Sequence, residues 1–339
     1  MKTGVRLREL DALRGVAAVA VLLFHLSCKG GWTVRIPWGH YGVELFFVIS
    51  GFVILMTMER CQNVPEFLVS RLTRLYPAYW CAVLFTAAVV AMLAPDPASL
   101  RQIAVNLTML QQFVYVPTLD PSYWTLALEL VFYALIASWW HWHRSRPIEL
   151  YCLAWIALVS LVRVVLFVRH EQVVGFVARP LLLYYGQLFI AGICIYRLRT
   201  ATHRLTVPTL VAAISMSLFG GGPDSLSPAP LEYFFVSCLV TWLVWAGSGS
   251  QLAVLRSPLL IGLGEISYPL YLIHQRAGLT LQAFWQKYMP QYLAVLLVLL
   301  VLIGTATLIH RLIEVPARTL LRAWLRNALR TREVAPAAT

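Results

Sequence analysis

Charge is what this sequence has least of. Only 12% of its 339 residues are Asp, Glu, Lys or Arg, against about 25% in a soluble domain. So few charges cannot cover a water-exposed surface of this size, which excludes soluble globular, fibrous and disordered classes. Cysteine is also sparse: Cys28, Cys61, Cys81, Cys152, Cys194 and Cys238 are scattered and form no C-x-x-C pair. That pattern indicates neither a disulfide framework nor a thiolate zinc site. No repeat of 20–50 residues is visible, and the two halves do not resemble one another. Lys2, Arg6 and Arg8 precede an apolar stretch, but no A-x-A site follows before Trp32. The stretch therefore reads as a retained span rather than a cleaved signal. Gly220-Gly221-Gly222-Pro223 has no strand before it and reads as a flexible turn, not a phosphate loop.

What the sequence does have is apolar length. Hydrophobic residues make up 60% of it, and the mean hydropathy is +0.72. Apolar runs lie near 12–27, 41–58, 77–94, 123–140, 150–168, 181–196, 206–219, 231–247, 267–286 and 291–313. At about 20 residues per crossing, ten spans use about 200 positions and leave only short loops. The expected fold is an all-α, polytopic transmembrane bundle of about ten spans over residues 1–317. A basic interfacial helix and disordered tail over 318–339 complete it.

The net charge is +12. In this setting it reads as Lys and Arg enrichment of cytoplasmic loops, with no nucleic-acid partner. With the N-terminus inside and the spans alternating, nineteen Lys and Arg fall inside and six outside. Both termini are then cytoplasmic.

Ionisable residues inside spans are costly, so each is a functional candidate. The first span carries Asp11, Arg14 and His25. Eleven residues separate Arg14 from His25, about 16 Å along a helix and about 20° from the same face. Arg71 and Arg74, three apart, would point the same way just before Pro77 opens the third span, and together suit a polyanion such as phosphate. Glu129 lies about two turns into the fourth span with no Lys or Arg within four residues, so it needs a partner from another helix or a raised pKa. Tyr271 and His274 share a face of the ninth span. Each has a plainer reading: Arg14 as a topological flank, His25 as an interfacial residue, the Arg71/Arg74 pair as lipid-headgroup contacts, Glu129 as a structural hydrogen bond. His141 and His143 sit in a tryptophan belt rather than at a metal, and no metal site is expected. Asn106-Leu107-Thr108 is a glycosylation sequon by pattern alone.

A series of blocks in fixed order resembles the acyltransferase-3 family of integral membrane acyltransferases. They are Leu10-Asp11-Ala12-Leu13-Arg14-Gly15 with His25; Gly39 through Phe52; Arg71-Leu72-Thr73-Arg74-Leu75-Tyr76-Pro77; and Tyr123-Trp124-Thr125-Leu126 with Glu129 and Phe132-Tyr133. Phe189-Ile190-Ala191-Gly192, Ile266-Ser267-Tyr268 through His274, and Glu314-Val315-Pro316 follow. The chain departs from the family pattern at Thr125, where Ser is usual. It departs again at Gln275-Arg276, where an apolar residue and Pro often follow the histidine.

The resemblance implies transfer of an acyl group, commonly acetyl from acetyl-CoA, to a hydroxyl of a carbohydrate or other cell-envelope acceptor. It implies a multi-pass protein of the cytoplasmic membrane and no metal. Arg14, Arg71, Arg74 and Tyr76 would hold the coenzyme A donor. His25 would act as general base with Glu129 as its partner. Tyr123, Trp124, Tyr271 and His274 would contact the acceptor. A secondary transporter or lipid-linked sugar flippase is the alternative use of intramembrane His, Glu and Arg, and a noncatalytic scaffold is a third.

Overall fold

The structure, a computed structural model, describes residues 7–32, 34–169, 181–219 and 229–320. Twelve α-helices are described. They are α1 (Arg8–Phe24), α2 (Gly42–Arg60), α3 (Val64–Leu93), α4 (Leu100–Leu107), α5 (Trp124–His143) and α6 (Ile148–Arg169), followed by α7 (Gly186–Thr200), α8 (Thr206–Ser215), α9 (Pro230–Ser248), α10 (Pro258–Ile273), α11 (Arg276–Trp285) and α12 (Gln291–Ile309). The expected all-helical architecture is present. Seven helical segments among the described residues are long and apolar enough to cross a membrane, and Thr206–Phe219 and Pro258–Ile273 are shorter apolar helices. The Gly220–Pro223 turn and the tail beyond Leu320 lie outside the described residues.

The bilayer explains which faces are bare. On α6, Leu158, Leu161, Val164 and Val165 are exposed, and on α12 so are Leu293, Leu296, Leu300 and Ile303. Faces this apolar and this extensive belong against lipid. Burial is concentrated instead on α1, α2, α7 and α10, which form the centre of the bundle.

Three boundaries differ from the sequence reading, each for a local reason. Helix α3 begins at Val64, where the Asn63 side chain caps it by accepting from the Glu66 amide at 2.9 Å. Pro77 therefore sits inside α3 rather than opening it. The expected ninth span is two helices, α10 and α11, broken at His274 and Gln275. The Arg276 amide, which would continue the helical ladder, donates instead to Asp120 Oδ2 at 2.7 Å. Helix α1 runs on into a π-helical turn, His25–Lys29, a feature common at functional sites. Asn106 is consumed structurally. Its amide donates to the Gln102 and Pro117 carbonyls, and its oxygen accepts from Leu119, folding the segment after α4.

Two glycine seams set the packing. Where α2 crosses α7, a Cβ on Gly51 would strike the Phe189 carbonyl, and one on Gly192 would strike the Val48 carbonyl and lie 2.7 Å from the Phe52 nitrogen. Where α1 crosses α10, a Cβ on Gly15 would lie 2.6 Å from the Gly264 nitrogen, and one on Gly264 would strike the Asp11 carbonyl. Small residues of this kind let membrane helices approach backbone to backbone. Gly192→Val should therefore cost at least about 1–3 kcal/mol, the usual range for overpacking. Thermal unfolding in detergent should show a clear loss of midpoint, whereas Gly304→Val, with open space around it, should leave it near the parent value.

Candidate active site

Helices α1, α2, α3, α10 and the segment following α12 line an open cavity of about 710 Å³, within the range of small-molecule sites. Five arginines line it, Arg14, Arg60, Arg71, Arg74 and Arg318, with three carboxylates, Asp11, Glu265 and Glu314. Arg71 and Arg74 face the same space, as their spacing on a helix requires. Arg71 is buried; its Nη2 donates to Thr57 Oγ1 at 2.7 Å. Its Nε has no hydrogen-bond partner among the described residues. A buried guanidinium donor left open is costly unless a ligand meets it. The second π-helical turn, His310–Glu314, closes one wall. There His310 Nδ1 lies 2.9 Å from Glu314 Oε2, and Arg318 donates to Glu314 Oε1.

A narrower pocket of about 60 Å³ leads inward and shares Arg14, Ile49, Val53, Arg71, Arg74 and Tyr268 with the large one. Glu129 from α5 lines it, as do Thr125 and Tyr271. The partner that Glu129 required is Tyr133, one turn on, whose hydroxyl donates to Oε1 at 2.7 Å. Tyr271 closes the far end: its hydroxyl lies 3.1 Å from Thr125 Oγ1, and its ring packs edge-on against Phe46.

Beyond Tyr271 stand two histidines. His25 Nδ1 lies 3.2 Å from His274 Nε2 and 2.9 Å from the Val21 carbonyl. His274 is fully buried, and its Nδ1 lies 2.6 Å from the Tyr271 carbonyl. The ring centroids of the two histidines are 5.0 Å apart.

The model of an acyltransferase domain, acyltransferase 3, matches residues 7–310. The chain belongs to this acyltransferase family. It is similar to the exopolysaccharide production protein ExoZ of Rhizobium meliloti (strain 1021), with 31% identity over 75% of this chain and 80% of that one. It is also similar to acyltransferase MdmB of Streptomyces mycarofaciens, with 26% identity over 80% of this chain and 78% of the relative. O-acetyltransferase OatA of Staphylococcus aureus (strain NCTC 8325 / PS 47) is 27% identical over 91% of this chain, which spans 57% of that protein. No solved structure matches. The protein is thus a multi-pass membrane acyltransferase, related to polysaccharide and envelope O-acetyltransferases.

For this acyltransferase the residues singled out in the sequence divide into two groups. Arg14, Arg71, Arg74, Glu129 and Tyr271 share the inner pocket. The other five sit elsewhere. Tyr76 does not face the arginines; its hydroxyl donates to the Thr108 carbonyl at 2.8 Å, and its ring packs on Trp80. Tyr123 is buried against Tyr79, and Trp124 packs on Phe47 and Tyr185. Neither lines the two cavities. His25 and His274 pair with each other, so the expected contact between His25 and Glu129 is replaced. Glu129 bonds Tyr133 on the arginine side, while Tyr271 lies between the inner pocket and the histidines.

Asp120 is the functional candidate that the sequence reading missed. It was legible: Asp followed by Pro121 before an apolar run is a helix-start signal. Its Oδ1 accepts from the Ser122 amide and hydroxyl at 2.8 and 2.6 Å, and its Oδ2 holds the break beside His274. Burial pushes its carboxyl up from 3.8 to about 6, against the lowering effect of the bonds from Ser122 and Arg276. The folded protein thus holds this proton more tightly than the unfolded chain does, and the stability contribution of Asp120 falls as pH rises from about 4 to about 6. Relative to Asp120→Asn, the unfolding midpoint of the parent should decline over that interval by the equivalent of at most about 3 kcal/mol. Parallel pH profiles for the two proteins would show that Asp120 does not carry this proton.

Proposed function

We propose that the chain is a membrane O-acyltransferase that moves an acyl group, acetyl in the simplest case, from cytoplasmic acyl-CoA to a hydroxyl of a carbohydrate or other envelope acceptor. The observation that carries this reading is the convergence of Arg14, Arg71 and Arg74 on one cavity, with the Arg71 Nε left open for an anionic ligand. Coenzyme A is a polyanion whose phosphates suit guanidinium forks. Its pantetheine arm would enter the narrower pocket past Glu129 and turn Tyr271 aside to bring the thioester toward His25. The excess of Lys and Arg on one side of the chain supports a cytoplasmic arginine cavity, about ten crossings, both termini inside and the cytoplasmic membrane as the site of action.

In this scheme His25 accepts the proton of the acceptor hydroxyl as the oxygen attacks the thioester carbonyl. The carbon–sulfur bond breaks, the acyl group stays on the acceptor oxygen, and the departing thiolate takes the proton from His25. The opposite faces of one bundle then serve a cytoplasmic donor and an acceptor on the other side.

Two variants separate the roles. Replacing Arg71 and Arg74 together by Gln should weaken acyl-CoA binding roughly tenfold to hundredfold, since hydrogen bonds to charged groups are worth about 1.5–3 kcal/mol. Unchanged donor affinity in the folded double variant would remove the arginines from the donor site. His25→Ala should lower kcat by about 10²–10⁴-fold with donor affinity near the parent value. Binding of labelled acetyl-CoA to the purified protein measures the first, and transfer of the label to an added carbohydrate acceptor measures the second. Substrate movement across vesicles without acyl transfer would favour a transporter or flippase instead.

A further inference from the structure

The pair formed by His25 and His274 fixes more than a contact. A backbone carbonyl can only accept, so the 2.6 Å approach of His274 Nδ1 to the Tyr271 carbonyl puts a proton on that nitrogen. In the neutral ring, His274 Nε2 is then a bare lone pair. The same reasoning applies to His25, whose Nδ1 lies 2.9 Å from the Val21 carbonyl and must carry the proton. That N–H also faces the His274 Nε2 lone pair at 3.2 Å. The two acceptors are not equivalent. The Val21 carbonyl belongs to the helix that carries His25 and already receives the His25 backbone amide. His274 comes from α10, across the helix interface, and offers its lone pair to the imidazole alone.

We infer that His274 is a positioning residue that holds His25 in its Nδ1–H tautomer, leaving Nε2 as the basic nitrogen. The inference rests on the reading of His25 as general base. When Nε2 takes the acceptor proton, the Nδ1–H becomes part of an imidazolium, and its bond to His274 Nε2 gains the strength of a charge-assisted one. A neutral acceptor does this without placing an uncompensated anion in the membrane interior. The His274 ring can serve only one way round, because a proton on Nε2 would face the Nδ1–H of His25.

The surrounding structure keeps that ring in place. His274 is fully buried, lies with its ring tilted 5.2 Å from that of Tyr271, and sits where α10 ends. Asp120 takes the Arg276 amide just beyond it, so the backbone turns at this residue instead of carrying it along a continuous helix. Arg276 supplies that amide, which a proline at this position could not.

Two substitutions test the assignment. Gln can place its amide oxygen near the position of Nε2 and accept from His25, whereas Leu fills the volume and accepts nothing. His274→Leu should lower kcat roughly tenfold to hundredfold, the range lost when the partner orienting a working histidine is removed. KM for acetyl-CoA should stay within about twofold, and His274→Gln should recover most of the lost kcat. Nitrogen-15 spectra of histidine-labelled protein, with the His25 signals identified by their loss in His25→Ala, read the tautomer independently of turnover. The parent and His274→Gln should show the Nδ1–H form alone, and His274→Leu, left with only the Val21 carbonyl, should show a mixture with the Nε2–H form. The inference is overturned if the Leu variant keeps the parent kcat and tautomer, or if Leu and Gln lower kcat equally. Activity surviving in His25→Ala would instead defeat the general-base reading, and the spectra would still report whether His274 sets the tautomer.

Discussion

The close approach of α1 and α10 is the constraint on which the candidate site depends. Gly15 and Gly264 let the two backbones touch beside Arg14, and the same two helices meet again where His25 faces His274. One rigid seam therefore fixes both ends of the proposed reaction path: a guanidinium in the large cavity and an imidazole about 16 Å further along the axis of α1. Polar groups in lipid cannot rely on water to correct their geometry. Fixing Arg14 and His25 on one helix, with the glycine seam locking its neighbour, replaces solvent with covalent spacing.

Around that seam the polar groups are arranged in sequence from one face to the other. The arginines share the large cavity with Asp11, Glu265 and Glu314. Further in, Glu129 is satisfied by Tyr133, and Tyr271 by Thr125. The histidine pair comes last, held by carbonyls and by each other. Thr125 supplies the hydroxyl that meets Tyr271. Tyr271 thus separates an arginine-lined compartment from an imidazole compartment. An arm such as pantetheine, thin and flexible, suits such a passage better than a bulky substrate does.

Much of this was legible in the sequence because it is periodic. The apolar runs mark most of the helices, and the intervals from Arg14 to His25 and from Arg71 to Arg74 place pairs on shared helix faces. What could not be read came from contacts between helices distant in the chain. Nothing within four residues of His274 says that Asp120, more than 150 positions earlier, diverts the Arg276 amide and breaks the helix. Pro77 looks like a helix start, but the Asn63 cap lies upstream and the longer helix absorbs the proline. Glu129 lacked a basic neighbour on its own helix, and the bundle brings it to the pocket of Arg14, Arg71 and Arg74, while Tyr133, one turn on, adds the hydrogen bond. Tyr76 lies next to the arginine pair in sequence, but its hydroxyl is drawn to the Thr108 carbonyl.

One continuous path is proposed to join the arginine cavity to His25, and a structure of the protein with a thioether analogue of acetyl-CoA, unable to transfer its acyl group, would reveal it. Phosphates should lie against Arg14, Arg71 and Arg74, with the arm passing Glu129, Tyr271 turned from Thr125, and the acyl end beside His25 Nε2. Phosphates bound away from the arginines, or an arm that ends short of Tyr271 with His25 out of reach, would contradict it.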